Sequence, residues 1–574
     1  MKTTVSRAWP AEGLTRVPYW VYQDPDNYQA ELRRIFEGPT WSWVGIESDV
    51  PRPGDYRTAF VGEMPVIVVR GEDGAIRAFE NRCAHRGALI AIDDCGSTGK
   101  RFQCVYHAWN YDLAGNLTGV AFEKGSHGKG GMPPDFRKAE HGPRKLRTAT
   151  LDGLVFASLS PEAPPIEEYL GAEVRGRIAR VLRRPVKVLG RFTQALPNNW
   201  KLYFENVKDT YHASLLHAFF TTFRITRLTQ GGGVLVSPDG GHHASTTIDR
   251  PDDGERDAYR QQGLRADHDG LRLADPSLLD GVDEFGDGIK LQILTVFPGF
   301  VLQQIANSLA LRQVLPKGPD RTELHWTYIG FAEDTPEMLR CRQAGEPGRP
   351  GGLRLHGGRL RRRLRAARRR GGRRRPVRRQ HGRGRRRVAG HAGDGGRRPR
   401  LLEGLPAVHG VLMAAADPTL AALQPLVAQL NADYARAIDD DRLEEWPEFF
   451  TDACFYSITS AENHRQGLPA GLMYADSKPM LRDRVAALRE ASVYERQSYR
   501  HLVGLPALLG ETEAGVRADT PFLVVRIMRD GRMDLFATGR YLDVLVEESG
   551  ALRFRERIVV CDSGRVDTLL AIPL

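Results

Sequence analysis

The sequence predicts an α+β chain in three parts. A small antiparallel β unit comes first, then a mixed unit built around a histidine-bearing helix. One long helix and a strongly curved antiparallel sheet close the chain. Three observations predict this. Cysteine–histidine pairs at Cys83/His85 and Cys104/His107 sit between short β-rich runs. Asn198-Asn199-Trp200 is a plausible helix start, ahead of His212 and His217. An amphipathic pattern from Ala422 to Ile438 precedes several long apolar, β-branched segments.

The elements follow in order. Thr58 to Val69 is rich in β-branched and apolar residues, Gly71-Glu72-Asp73-Gly74 signals a turn, and Ile76 to Glu80 reads as the return strand. Tyr111 to Leu117 reads as another hairpin. Both cysteine–histidine pairs therefore lie on loops of one β unit. Glu205 to His217 reads as helix, and Val301 to Leu315 as a long β-like run that alternates only partly. Near the end, Glu445 to Phe450 reads as a short helix running into a strand at Cys454 to Thr459. Strands are then expected at Phe522–Met528, Leu535–Leu545 and Leu552–Val560.

Cys83-Ala84-His85 is followed, after 18 intervening residues, by Cys104-Val105-Tyr106-His107. Two thiolates and two imidazoles suit one [2Fe-2S] cluster, with the cysteines on one iron and the histidines on the other. Neutral imidazoles in place of thiolates raise its potential. A structural zinc site is the competing reading, but zinc pairs usually group like ligands together. Here each pair is mixed. Gly87 can turn sharply and bring backbone N–H groups to a sulfide. Cys95 has no place in the pattern and reads as a small buried residue.

His212 and His217 are candidate ligands for a mononuclear Fe(II). Two imidazoles and one carboxylate on one face leave positions open for dioxygen. Five residues apart, they point about 140° apart around an ideal helix, so they share a face only if the helix ends or distorts there. Asp209, three residues before His212, is expected beside it on the helix surface. There it could orient the ring by accepting its free N–H. Asn206, in the same run, is a further candidate site residue.

At these motifs the chain resembles the large (α) subunit of Rieske non-heme iron ring-hydroxylating dioxygenases, over about Leu14 to Leu339. The resemblance also rests on Asn81 to Ile90, Phe102 to Trp109, Gly119 to Gly125 and Leu196 to Asp209. It implies that Cys83, His85, Cys104 and His107 hold the cluster, and that His212 and His217 hold the iron. Asp209 would bridge a cluster histidine of a neighbouring subunit to an iron histidine. Gln497 to Pro506 and the ending Asp567 to Leu574 resemble the small (β) subunit of the same enzymes. The implied architecture is a Rieske domain (41–160), a helix-grip-like catalytic domain (161–340, with helical residues 1–40) and an NTF2-like domain (413–574). An α3β3-like oligomer is implied, with a separate NAD(P)H-dependent flavin/iron–sulfur reductase. The expected reaction adds both atoms of O2 to a terephthalate-like aromatic carboxylate, giving a cis-dihydrodiol. Related benzoate-type substrates, anthranilate or salicylate, are the alternative. Arg312, on the β-like run, is the candidate grip for the carboxylate, against the reading of an edge arginine facing water.

The chain departs from this pattern in one place. The resemblance implies a third iron ligand, an aspartate well downstream of His217, and it is missing. Its place falls in residues 341–400, which hold 23 arginines, no lysine, two acidic residues and no aromatic. That stretch carries +21 against +11 for the whole chain, so everything else sums to −10. It reads as a nucleic-acid-binding tract, a solvated linker or GC-rich coding text in a shifted frame. The codons permitted for Glu346 to Arg359, read one base later, allow Asn-Leu-Val-Gly-Pro-Ala-Gly-Phe-Val-Ser-Met-Glu-Asp, which contains the expected aspartate. The favoured reading is therefore a frame error over residues 341–412 that fuses α-like and β-like genes. This reading predicts no nucleic-acid partner. An inactive electron-carrying or RNA-binding fusion is the alternative.

Composition sets outer bounds. Six cysteines, two of them assigned to iron, leave no disulfide framework. No apolar run reaches the roughly 20 residues a membrane span needs. No signal-peptide core opens the chain, and no Gly-x-Gly-x-x-Gly nucleotide fingerprint is present. A cytoplasmic iron–sulfur protein is expected.

Overall fold

The structure, a computed structural model, describes residues 7–127, 129–248, 258–259, 261–263, 272–344, 418–491, 494–567 and 570–574. Nearly all of the arginine-rich stretch lies outside the described residues.

The first unit holds β1 (Ser42–Ile46), β2 (Asp55–Val61), β3 (Met64–Arg70), β4 (Ile76–Glu80), β5 (Cys95–Ser97), β6 (Arg101–Gln103), β7 (Asn110–Asp112), β8 (Leu117–Gly119), β9 (Lys145–Leu151) and β10 (Leu154–Ser158). Seven form one sheet in the order β1-β10-β9-β4-β3-β2-β5, and β6-β7-β8 form a small second sheet. The run expected from Thr58 to Val69 is two strands, split where Gly62 turns at φ +59°. The return strand Ile76–Glu80 lies where it was expected.

The second unit contains β11 (Val186–Leu196), β12 (Gly232–Val236), β13 (His243–Ile248), β14 (Ile289–Val296), β15 (Phe300–Ile305), β16 (Ser308–Pro316) and β17 (Thr322–Phe331). The single β-like run expected from Val301 to Leu315 is a hairpin that turns at Ala306-Asn307, where Ala306 takes φ +49°. The Ile166–Val181 helix buries Ile166, Leu170, Val174 and Ile178, a helix-period stripe, in the core beneath this sheet. Residues 20–36 pack Tyr28, Leu32 and Phe36 against Trp200 and Tyr203.

The third unit opens with the Pro418–Asp439 helix and continues through β18 (Phe450–Ser460), β19 (Met473–Ala475), β20 (Gln497–Val503), β21 (Ala507–Thr512), β22 (Gly515–Met528), β23 (Met533–Glu548), β24 (Ala551–Cys561) and β25 (Arg565–Asp567). Tyr434 of that helix packs on Phe450, Tyr541 and Phe554 of the sheet. Arg557, fully buried, bonds Asp543 and lies over the Phe554 ring. His501 bonds Asp439 at 2.7 Å, and His464 lies in the last turn of the short Ala461–Arg465 helix.

The second and third units are continuous. β25 pairs parallel with β11 at the edge of the eight-stranded sheet β12-β13-β14-β15-β16-β17-β11-β25. The approach is close because Gly190 has no side chain: a Cβ there would meet the Ala470 carbonyl oxygen at 2.3 Å. Asn463 closes the seam by bonding both the N–H and the carbonyl of Arg191. Gln313 ties the second unit to the first, donating to the carbonyls of Trp43 and Phe60. No described helix is long and apolar enough to cross a membrane.

Candidate metal centres and pocket

The two cysteine–histidine loops share one plan. The N–H of Gly87 bonds the carbonyl of Cys83 at 2.8 Å, and that of Ala108 bonds the carbonyl of Cys104 at 2.9 Å. Both closing residues adopt left-handed backbone, Gly87 at φ +73° and Ala108 at φ +53°. Each cysteine N–H is also paired, to Ala88 and Trp109 respectively. Asn81, buried beneath the first loop, accepts from the N–H groups of Ile90 and Ala91 and donates to the Ala91 carbonyl. Both loops are thus held by local bonds.

The side chains converge. Cys83 and Cys104 are buried together, while His85 and His107 reach the surface. The two Nδ1 atoms lie 3.2 Å apart. This donor set fits a [2Fe-2S] cluster, with buried thiolates at one end and paired imidazole nitrogens at the solvent end. Trp109 stacks on His85 with centroids 5.0 Å apart and fixes that ring. Tyr111 was missed by sequence reasoning: its hydroxyl lies 3.1 Å from the Cys83 sulfur. Alternation along β7 could have placed it inward. Burial pushes the Cys83 thiol up, against the Tyr111 contact that favours the thiolate. Desolvation, His107 and Arg86 hold His85 below the usual imidazole value, the neutral state a metal ligand needs. Cys95 lies apart on β5, partly exposed.

The second candidate centre rests on a break in the helix. Instead of one helix over Glu205 to His217 there are two, Trp200–Asn206 and Thr210–Leu216. Asp209 is not a mid-helix neighbour of His212. It is the N-cap, accepting from the N–H groups of Tyr211 and His212. Its other oxygen faces His212 Nδ1 at 3.5 Å. His217 ends this helix with non-helical backbone, φ −87° and ψ 76°, and the next helix begins at Ala218. That distortion brings His217 back toward His212, with ring centroids 5.6 Å apart. Asn206 Nδ2 lies 3.3 Å from His212 Nε2. The pair fits two of the three donors of an Fe(II) site. The place of the missing carboxylate falls outside the described residues.

Both histidines open on a cavity of about 240 Å³. Its floor is one face of the sheet, carrying Ile293, Gln303, Ile305, Arg312 and Trp326. Arg312 is 5% exposed, which excludes the edge position facing water. Its guanidinium donates to the Tyr203 hydroxyl at 2.8 Å and lies 4.0 Å above the Trp326 ring. No carboxylate pairs with it among the described residues. Tyr203 and Trp326, partners from a helix and a neighbouring strand, carried no signal in the sequence.

Comparison with known proteins gives three family matches along the chain. They are a Rieske [2Fe-2S] domain at residues 40–125, a ring-hydroxylating alpha subunit catalytic domain at 182–371, and a ring-hydroxylating beta subunit at 433–568. The subunit alpha 2 of the terephthalate 1,2-dioxygenase terminal oxygenase component of Comamonas sp is 57% identical over 353 residues, 61% of this chain and 85% of that protein. The corresponding subunit beta 2 is 51% identical over 148 residues, 26% of this chain and 96% of that protein. The anthranilate 1,2-dioxygenase large subunit of Burkholderia cepacia is 45% identical, covering 60% of this chain and 81% of that protein. Among solved structures, naphthalene 1,2-dioxygenase from Rhodococcus sp. bound to indole aligns with a TM-score of 0.47 at 25% identity, covering 57% of this chain and 76% of that one.

Proposed function

The chain belongs to the Rieske ring-hydroxylating dioxygenases, joining an alpha-type and a beta-type unit, and from that premise we propose that it is the terminal oxygenase acting on an aromatic carboxylate of the terephthalate type. In this family the cluster delivers single electrons and the mononuclear iron activates dioxygen for cis-dihydroxylation of the ring. Cys83, His85, Cys104 and His107 would hold the first, and His212 and His217 the second.

One observation carries the substrate reading. Arg312 is a buried cation with no carboxylate partner among the described residues, in the cavity that His212 and His217 line. A buried, unmatched guanidinium is costly unless a ligand supplies the anion. Tyr203 fixes it and Trp326 supports its face, leaving it ready to grip a carboxylate. Ile293, Leu291 and Ile305 supply the apolar surface for the ring. The alpha relatives named for terephthalate and anthranilate fit this class.

Asp209 has two tasks in this reading. It caps the helix, and its other oxygen stands 3.5 Å from His212 Nδ1, where it would orient that ring. Its carboxylate is about half exposed, so a neighbouring copy can reach it, as an α3β3-like assembly with electron transfer between subunits requires. The electrons would come from a separate NAD(P)H-dependent reductase. The test is turnover of the frame-restored protein with such a reductase, NAD(P)H, O2 and terephthalate. A cis-dihydrodiol is expected, and O2 uptake without ring product would refute the substrate assignment.

The arginine-rich stretch belongs to the same proposal. The chain covers 85% of the alpha relative, and we read residues 341–412 as the product of a frame error near residues 341–345 that replaces the alpha-type ending. Restoring the frame would return the missing aspartate. Sequencing the DNA across those codons decides it: an intact frame removes the idea.

A further inference from the structure

Residues 207–209 join the two helices that lead to His212, and the middle one is Lys208. Its side chain is half-buried. The ammonium lies 4.5 Å from the Phe204 ring and donates to the Gly241 carbonyl at 3.1 Å. Burial pulls it below the usual lysine value, against the pull of Glu205 and Asp239. Burying a cation is costly. A methionine would cover Phe204 without that cost, so the charge serves the bond to Gly241.

Gly241 belongs to the turn between β12 and β13. There the Ser237 N–H bonds the His242 carbonyl at 3.0 Å, Asp239 accepts from the Gly241 N–H at 3.0 Å, and the Ser237 hydroxyl accepts from the His242 N–H at 2.9 Å. His242, 1% exposed, bolts this turn to the core. Its Nε2 donates to the Tyr169 carbonyl at 2.8 Å, and its Nδ1 accepts from the Phe297 N–H at 3.2 Å. The turn is a fixed point. The helix break is made differently. The N–H groups of Lys208 and Asp209 bond the carbonyls of Glu205 and Asn206, three residues back. Such bonds tighten the end of one helix without setting the direction of the next.

We propose that Lys208 is a positioning residue for the mononuclear site: it ties the helix break to the β12–β13 turn and so sets where Asp209 and His212 stand. Asp209 follows Lys208 directly, caps the histidine helix and faces His212 Nδ1 at 3.5 Å. The same bond spans two walls of the iron pocket. Asn206, Val207 and Asp209 line it from the helix side, and Val234, Ser245 and Thr247 from β12 and β13. The proposal rests on the reading of His212 as an iron ligand.

Two variants of the full chain, with its cluster assembled, test this. Lys208→Met keeps an apolar stem over Phe204 and removes the ammonium. Lys208→Arg keeps the charge and the donors. Hydrogen–deuterium exchange is read at the Tyr211 and His212 amides, which Asp209 caps. Lys208→Met should speed both about tenfold, the effect of losing one charged hydrogen bond. The Gly241 and His242 amides, held by the turn itself, should exchange as in the wild type. Equilibrium dialysis then measures Fe(II) binding beyond the cluster. Lys208→Met should weaken it about 10- to 100-fold, as loss of a ligand's supporting group does, and Lys208→Arg should restore both readouts. Wild-type exchange at Tyr211 and His212 in Lys208→Met, or the same losses in Lys208→Arg, would overturn the proposal. Failure of the iron-ligand reading looks different: exchange would change as expected while Fe(II) binding stayed equal in all three proteins.

Discussion

The cluster loops and the iron pocket are built by opposite strategies. Each cluster loop closes on itself, through Cys83–Gly87 and Cys104–Ala108 backbone bonds, and Asn81, two residues before Cys83, locks the first loop by bonding Ala91. The iron pocket has no such local frame. Its histidines face one another only because a helix stops at Leu216, and its guanidinium comes from a strand about a hundred residues on, held by Tyr203 and Trp326. A site made of local bonds survives damage elsewhere, whereas one assembled from distant elements depends on the whole fold.

The largest expected effect is at the helix break. His217→Ala should lower ring hydroxylation by more than about 100-fold, since loss of a ligand exceeds the 10–100-fold typical of its supporting groups. The cluster absorption should be unchanged; its loss would show that the two regions are not independent. Arg312→Ala comes next. It should raise KM for a carboxylated ring roughly 10- to 100-fold, the equivalent of a charge-assisted hydrogen bond, and leave a neutral ring nearly untouched. Equal changes for both rings would remove Arg312 from substrate recognition.

Asp209 offers a sharper cut. Asp209→Ala should cost about 1 kcal/mol of stability through the lost N-cap, as well as turnover. Asp209→Asn keeps a capping side chain, so stability should return while turnover stays low; recovery of both would make Asp209 a cap and nothing more. In the cluster, Tyr111→Phe removes the hydroxyl beside the Cys83 sulfur. The potential should fall by roughly 20–60 mV, the one-electron equivalent of an ordinary hydrogen bond, and potentiometry reads this directly. The smallest effect concerns the seam between the second and third units. Burial raises the Glu323 carboxyl, but His325, Arg565 and Lys317 outweigh it and hold it at about 2. A depressed carboxyl stabilises the fold above its unfolded value near 4.5 and loses that contribution as pH falls toward 2. The Tm gap between the wild type and Glu323→Gln should therefore close over that interval; a constant gap would deny the pair its role.

What could be read from the sequence follows the same division. The candidate cluster ligands were legible because two mixed Cys/His pairs within 25 residues specify a donor set without knowledge of the fold. The need for a distortion between His212 and His217 was legible from helix geometry alone, and the break at His217 meets it. The cap role of Asp209 was not seen, because Glu205 to His217 lacks a Gly or Pro to mark an interruption. Arg312 was visible as a candidate, but its burial depends on β16 lying between β15 and β17, a long-range pairing. The β11–β25 seam joins residues more than 350 positions apart, and no local pattern announces it.

The most direct test of the two-centre account is iron and acid-labile sulfide content in paired variants. In the frame-restored protein, His212→Ala with His217→Ala should lose the mononuclear iron and keep a full cluster complement of two irons and two sulfides. Cys104→Ser should lose the sulfide and keep a single iron. Loss of sulfide in the histidine variant, or a wild type containing iron without sulfide, would contradict the account.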